Sequence, residues 1–201
     1  LVELLAEAPL PTRHGDFRTL VFVDPALPNV EHVALVRGEV ARNDVLCRVH
    51  SECLTGEILG SLKCDCAPQL DRALERIARD GSGVLVYLRQ EGRGIGLANK
   101  VRAYALQARG FDTVDANLAL ELPEDARRYD VAAGVLRHLG VASVRLLTNN
   151  PHKVEALVGL GISVRERVSH VVSAHPLSHA YLSTKRRRMQ HLLPTNPGEA
   201  P

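Results

Sequence analysis

The sequence has no tryptophan, three phenylalanines and four tyrosines, so only 3% of its 201 residues are aromatic. The basic run Lys185-Arg186-Arg187-Arg188 therefore lacks rings on which bases could stack, and it reads as a solvated helix face. Nor is there a cationic excess. Lys plus Arg number 25 against 23 Asp plus Glu, a net charge of +2, which excludes a dedicated duplex-DNA binder that works by counterion release. No apolar run approaches the roughly 18 to 20 residues of a membrane span, and nothing at the start reads as a signal peptide. No membrane, no nucleic acid and a cytoplasmic location are expected. Cysteine is scarce as well. Four residues, at 47, 53, 64 and 66, are too few in too long a chain for a secreted disulfide scaffold, and in a reducing compartment they point to metal or thiol chemistry. Leu at position 1 and a single Met, Met189, are what a chain without its natural N-terminus or an upstream domain would show.

What is present suits a folded protein. With 45% apolar and 24% charged residues, disorder is excluded. A single domain over residues 1–193 is expected, with a flexible tail at 194–201. Strands are predicted at Asp16–Val23, His32–Val40 and Val45–Ser51. In the last of these, Val45, Cys47 and Val49 face one way, toward a core. Arg48, His50 and Glu52 face the other, toward a site. From Cys66 the apolar spacing turns helical until Asp80-Gly81. Val84–Leu88 reads as a buried strand, followed by a glycine-punctuated loop at Arg89–Gly96 and a helix ending near Gly110. A helix is predicted over Pro123–Leu139, a strand at Val144–Leu147, a helix at Pro151–Leu160 and a strand at Ile162–Val168. The sum is an α/β fold with mixed sheets: an antiparallel, β-rich N-terminal part followed by βα units.

Cys53, Cys64 and Cys66 form a Cys-x10-Cys-x-Cys array. Three thiolates suit a borderline cation, zinc above all, and Cys64 and Cys66 precede a helix whose N-terminus favours thiolates. The plainer reading is three buried cysteines acting as small hydrophobes. Three ligands rather than four leave a position for water, as catalytic zinc sites do, and such a site makes hydroxide available near neutral pH. Cys47 is the only further thiol, and its parity assigns it to the core.

Thr148-Asn149-Asn150-Pro151-His152-Lys153 follows a buried strand and opens a helix, a position suited to an anion and equally to an ordinary N-cap. Gln90-Glu91-Gly92-Arg93-Gly94-Ile95-Gly96 lies at the same kind of strand-to-helix junction. There Arg93 could fork onto phosphate oxygens.

Taken together, Arg48-Val49-His50-Ser51-Glu52-Cys53-Leu54-Thr55-Gly56, Leu62-Lys63-Cys64-Asp65-Cys66 and Gln90–Leu97 closely resemble GTP cyclohydrolase II. Asp112-Thr113-Val114, Asp125-x-Arg127-x-Tyr129, Thr148–Pro151 and Tyr181-Leu182-x-Thr184-Lys185 continue the resemblance, which covers about residues 10 to 193. It implies zinc- and magnesium-dependent hydrolysis of GTP to formate, pyrophosphate and 2,5-diamino-6-(5-phosphoribosylamino)pyrimidin-4(3H)-one, the first step of riboflavin biosynthesis, in a homodimer. By the same resemblance one Zn2+ per chain sits on Cys53, Cys64 and Cys66 plus a water, and Mg2+ comes with the triphosphate. Arg48, Val49, His50, Ser51, Glu52, Gln69, Glu91, Gly92, Arg93, Thr113, Thr148 and Lys153 would bind GTP. Asp125 would accept a proton, Arg127 would be the nucleophile toward the α-phosphorus, and Tyr104 would lie near the ring-opening chemistry. A guanidinium loses its proton only above about pH 12, so a transition-state clamp is the physically cheaper role for Arg127. At a helix start, Asp125 and Arg127 would not share a face. Relatives often carry an acid where Arg128 stands and Lys where His152 stands. Two other readings stay open at this point: a paralogue that opens the guanine ring but keeps the formyl group, and a non-catalytic, zinc-stapled nucleotide-binding module.

Overall fold

Alternation of apolar and polar residues builds the first strands, and β-branched runs build the later ones. The computed structural model describes residues 2–173 and 175–194, without the side chains of Thr113 and Ala180, so the tail expected at 194–201 lies, but for Pro194, outside the described residues. The chain divides into two compact units. One comprises residues 1–50, 70–89 and 129–170, and the other residues 51–69, 90–128 and 171–201.

The first unit holds a seven-stranded sheet in the order β1-β2-β3-β5-β4-β6-β7. Its strands are β1 (Glu3–Thr12), β2 (Gly15–Val23), β3 (Glu31–Arg37), β4 (Val45–Ser51), β5 (Gly83–Leu88), β6 (Ser143–Leu147) and β7 (Ser163–Val168). β1, β2, β3 and β5 pair antiparallel, whereas β4, β6 and β7 run parallel. The mixed α/β class read from the sequence is the one observed.

Strand parity sorts the core into two layers. Leu20, Phe22, Val36, Cys47, Val49, Val84 and Val86 pack with α5 (Asp130–His138) and α6 (Pro151–Gly159). Phe17, Leu46, Leu85 and Leu147, on the opposite parity, pack with Ala73 and Ile77 of α2 (Cys66–Asp80). The expected polar face of β4 is therefore covered too: Arg48 is 6% and His50 2% exposed. Cys47 is fully buried, and burial pushes its thiol up to about 12.

The second unit contains α1 (Leu54–Glu57), a 3-10 turn at Glu91–Gly94, α3 (Leu97–Gln107), α4 (Thr113–Ala119) and α7 (His179–Arg188). Asp112 caps α4 by accepting from the backbone N–H of Val114 and Asp115 at 2.7 and 2.8 Å. Among the described residues, no helix is long and apolar enough to cross a membrane.

Three elements depart from expectation. β1 carries Pro9 and Pro11 and is exposed along almost its whole length, so it shows no buried face to read. It lies at the edge of the sheet, where a missing N–H is tolerated. The predicted helix Pro123–Leu139 begins only at Asp130. Ahead of it, Glu121 adopts a left-handed backbone, and the Asp125 carboxylate accepts from the Arg127 backbone N–H at 3.0 Å, forming a turn instead of a helix start. The basic run is not wholly solvated, because Lys185 is 9% exposed.

Candidate active site

The loop leaving β4 ends at Cys53, directly before α1, and Cys66 opens α2. This local geometry gathers Cys53, Cys64 and Cys66 with all three sulfurs within 4.8 Å of one another. Cys53 Sγ and Cys64 Sγ lie 3.7 Å apart, close to the roughly 3.8 Å that a tetrahedral ion with Zn–S bonds of about 2.3 Å imposes. No His, Asp, Glu or fourth Cys among the described residues joins them. The donor set fits zinc with one open corner. Gly56 makes the close approach possible, since a Cβ there would stand 2.7 Å from Cys64 Sγ.

The three thiols titrate together. Hydrogen bonds from Cys64 and then Cys66 hold the Cys53 thiol well below its usual range, Lys100 adds to this, and the other two thiols are pushed up in return. Lys100 Nζ donates to Cys53 Sγ at 3.1 Å and to Glu91 Oε1 at 2.7 Å. Glu91 Oε2 accepts from Leu54 N at 2.7 Å, while Oε1 also accepts from Gly92 N. Both Glu91 oxygens are thus engaged in ordering the loops around the sulfurs. Tyr104 lies one helical turn after Lys100. Its hydroxyl is 3.3 Å from Thr55 Oγ1, burial pushes its phenol up, and Lys63 Nζ stands 4.9 Å over its ring. Replacing Lys100 with Met is expected to weaken zinc binding by about 10–100-fold in chelator competition, as loss of an outer-sphere partner typically does.

Arg93 sits in a left-handed backbone conformation (φ 62°) after a similar Gly92. Its Nη1 and Nη2 are buried and find no hydrogen-bond partner among the described residues. A cation enclosed in this way awaits an anion. The Arg93 loop is zipped to the next segment: Ala126 N donates to Arg93 O at 3.0 Å and Arg128 N to Gln90 Oε1 at 3.0 Å. Contrary to the helical expectation, Asp125 and Arg127 do face each other, with Arg127 Nε 2.8 and 3.0 Å from the two carboxylate oxygens. Burial pushes the Asp125 carboxyl up, but the hydrogen bonds and charge of Arg127, with the charge of Arg93, outweigh it and hold the group low. Ser51 Oγ accepts from Gln90 Nε2 at 2.9 Å, Gln69 donates to Asp65, the residue between Cys64 and Cys66 in sequence, and Glu52 is half-buried. Thr113 is the first residue of α4, and its side chain lies outside the described residues.

In the first unit, the remaining expected residues gather at the ends of neighbouring strands β4 and β6. Arg48 Nη1 donates to Leu147 O at 2.8 Å, and Nη2 lies 3.4 Å from His50 Nδ1. Lys153, only 4% exposed, donates to Val49 O at 2.6 Å. Thr148 Oγ1 accepts from Asn150 N at 3.1 Å, and the Asn150 side chain caps α6 through His152 N. Thr148–Lys153 therefore forms an N-cap, one of its two sequence readings, while also burying a lysine beside Arg48.

The residues that sequence reasoning did not assign are Lys100, Thr55, Lys63, Tyr181 and Lys185. Thr55, Lys63, Tyr181 and Lys185 lie in the motifs that carry the family resemblance, whereas Lys100 lies outside them and is signalled only by its four-residue spacing from Tyr104 on one helix face.

The sequence model of GTP cyclohydrolase II matches residues 3–169. The chain belongs to the GTP cyclohydrolase II family. A GTP cyclohydrolase-2 from Acinetobacter baylyi is 56% identical over 193 residues, 95% of this chain and 96% of that protein. The riboflavin biosynthesis protein RibBA of Salinispora tropica is 58% identical over 194 residues, 96% of this chain and 48% of that protein. The chain thus spans about half the length of the RibBA relatives and nearly all of the GTP cyclohydrolase-2 relatives. A solved structure of RibBX, a two-domain 3,4-dihydroxy-2-butanone 4-phosphate synthase from A. baumannii, covers 83% of this chain and 40% of its own at 24% identity and a TM-score of 0.43.

Proposed function

We propose that the chain hydrolyses GTP to formate, pyrophosphate and 2,5-diamino-6-(5-phosphoribosylamino)pyrimidin-4(3H)-one, the first step of riboflavin biosynthesis. The observation that carries this reading is the trio of sulfurs at tetrahedral spacing with no fourth protein ligand among the described residues. Cys53, Cys64 and Cys66 hold Zn2+, which when bound supplies Lewis acidity and a water of lowered pKa. Mg2+ would come with the triphosphate, held by its oxygens.

The chain's own groups divide the work. Guanine C8 lies between two ring nitrogens and is electrophilic, so the ring must be held against the sulfur site. Tyr104, kept protonated by burial, is the proton donor beside the opening ring. Arg93 binds phosphate oxygens through its buried, unpartnered Nη atoms. Arg48, Val49, His50, Thr148 and Lys153 bind GTP from the strand ends, and Ser51, Glu52, Gln69, Glu91, Gly92 and Thr113 complete the set. The carboxylate of Asp125 accepts a proton and fixes Arg127 by a fork of hydrogen bonds. That fork supports Arg127 as a clamp on developing phosphate charge, because an ion-paired guanidinium is a weaker nucleophile still. The family match runs through segments of both units, which supports residues 1–193 acting as one catalytic domain. Exposed Ile58 and Leu59, at 76% and 68%, support assembly as a homodimer. A cytoplasmic location suits a substrate such as GTP.

Incubation with GTP, Zn2+ and Mg2+, with formate and pyrophosphate measured together, tests the reading. Both products are expected in equal amounts, and pyrophosphate without formate would identify a ring-opening paralogue instead. Arg127→Lys is expected to retain measurable pyrophosphate release, and rapid quench of the parent chain is expected to trap no guanylylated protein. A trapped adduct would make Arg127 the nucleophile.

A further inference from the structure

The motif Tyr181-Leu182-x-Thr184-Lys185 has so far been given no task. Its tyrosine and lysine are four residues apart, so they share one face of α7. Lys185 Nζ lies 2.9 Å from Asp65 Oδ1, and the two side chains are 11% and 4% exposed. Asp65 stands between the ligands Cys64 and Cys66, and Gln69, one turn into α2, donates to its second oxygen. Tyr181 lies between two cations, with Lys185 Nζ 4.3 Å and Arg93 Cζ 5.7 Å from its ring centre. Among the described residues the Arg93 Nη atoms have no hydrogen-bond partner, so the ring of Tyr181 and the charge of Asp125 are the groups that act on that guanidinium.

We propose that Tyr181 and Lys185 are positioning residues that hold two parts of the site from one helix face. Lys185 fixes the Cys64–Cys66 ligand loop through Asp65, and Tyr181 fixes the Arg93 guanidinium by stacking. The inference rests on zinc at the cysteines and a phosphate group at Arg93. Its logic is electrostatic. Asp65 is the residue between two ligands in sequence and is buried, so the Lys185 ammonium, with the Gln69 amide, is what holds its carboxylate in place and with it the loop that brings the sulfurs together. Loss of Lys185 leaves the buried Asp65 charge with no cation and only the Gln69 amide as a partner, so the loop must shift. Loss of the Tyr181 ring frees Arg93 to rotate while leaving the sulfurs in place.

The test uses the full chain and two probes, Zn2+ in competition with a chromophoric chelator and inorganic pyrophosphate by calorimetry. Lys185→Met is expected to weaken zinc binding at least tenfold. The double variant Asp65→Asn/Lys185→Met, which removes the stranded charge, is expected to recover to within about threefold of the parent. Tyr181→Leu is expected to weaken pyrophosphate binding at least fivefold with zinc affinity unchanged, while Tyr181→Phe keeps both. Should circular dichroism show that Lys185→Met does not fold, Lys185→Gln, which retains a donor to Asp65 without the charge, carries the same zinc expectation. A folded Lys185 variant that binds zinc within twofold of the parent overturns the inference, as does a double variant no better than the single. A parent chain that binds no zinc overturns the functional reading and this inference together. Zinc in the parent with no loss in the variants overturns this inference alone.

Discussion

Cys66→Ser is expected to abolish formate release, with a fall of about a thousandfold or more, while pyrophosphate release persists at a reduced rate. The estimate follows from the several kcal/mol that a bound metal contributes to such a transition state, at about 1.4 kcal/mol per factor of ten. Serine keeps the volume and a hydroxyl, but it is a far harder and less acidic ligand than thiolate. It also breaks the mutual hydrogen bonding that holds the Cys53 thiol low. In the proposed reaction, cleavage between the phosphates would draw on arginine, lysine and Mg2+, so it should not need the sulfurs. Separate assays of formate and pyrophosphate on the same variant decide the matter. Equal loss of both products would mean that the two reactions share one metal-dependent step.

Arg93→Leu is the mirror case. Replacing Arg93 with leucine removes a guanidinium whose buried Nη atoms have no hydrogen-bond partner among the described residues, and pyrophosphate release is expected to fall by about 10²–10³-fold. Removal of one preorganised donor from a developing oxyanion has that scale of effect. Zinc content is expected to match the parent's, because Arg93 is not among the three candidate ligands found in the described residues. Metal analysis beside the pyrophosphate assay checks this. Loss of zinc in Arg93→Leu would show that the phosphate loop and the sulfur site are not separable.

How much of this was legible depends on how local the cause is. β4 matched its predicted bounds at Val45–Ser51, because alternation over seven residues is a local signal. The same alternation sent Cys47 to the core and left three sulfurs, and that placement holds. What the parity could not show was that α2 packs against Leu46 on that side of the sheet, nor that Arg48 and His50 are almost wholly buried. The edge strand β1 escaped notice because its residues are solvated on both sides and two of them are prolines. The segment 123–129 was misread as helix because apolar spacing ignores the Asp125 carboxylate, which bonds the chain's own backbone two residues on. Lys185 looked like surface for a related reason. Its partner is Asp65, 120 positions away, and no window along the chain contains both.

The backbone at residues 92 and 93 has one more consequence. A non-glycine residue at φ 62° is held in a conformation that costs about 1 kcal/mol against the ordinary right-handed one, and glycine at 93 would relieve that strain. Screening this chain for thermal robustness alone would therefore drift toward Arg93→Gly, giving a hardier fold that had shed the guanidinium proposed to grip phosphate.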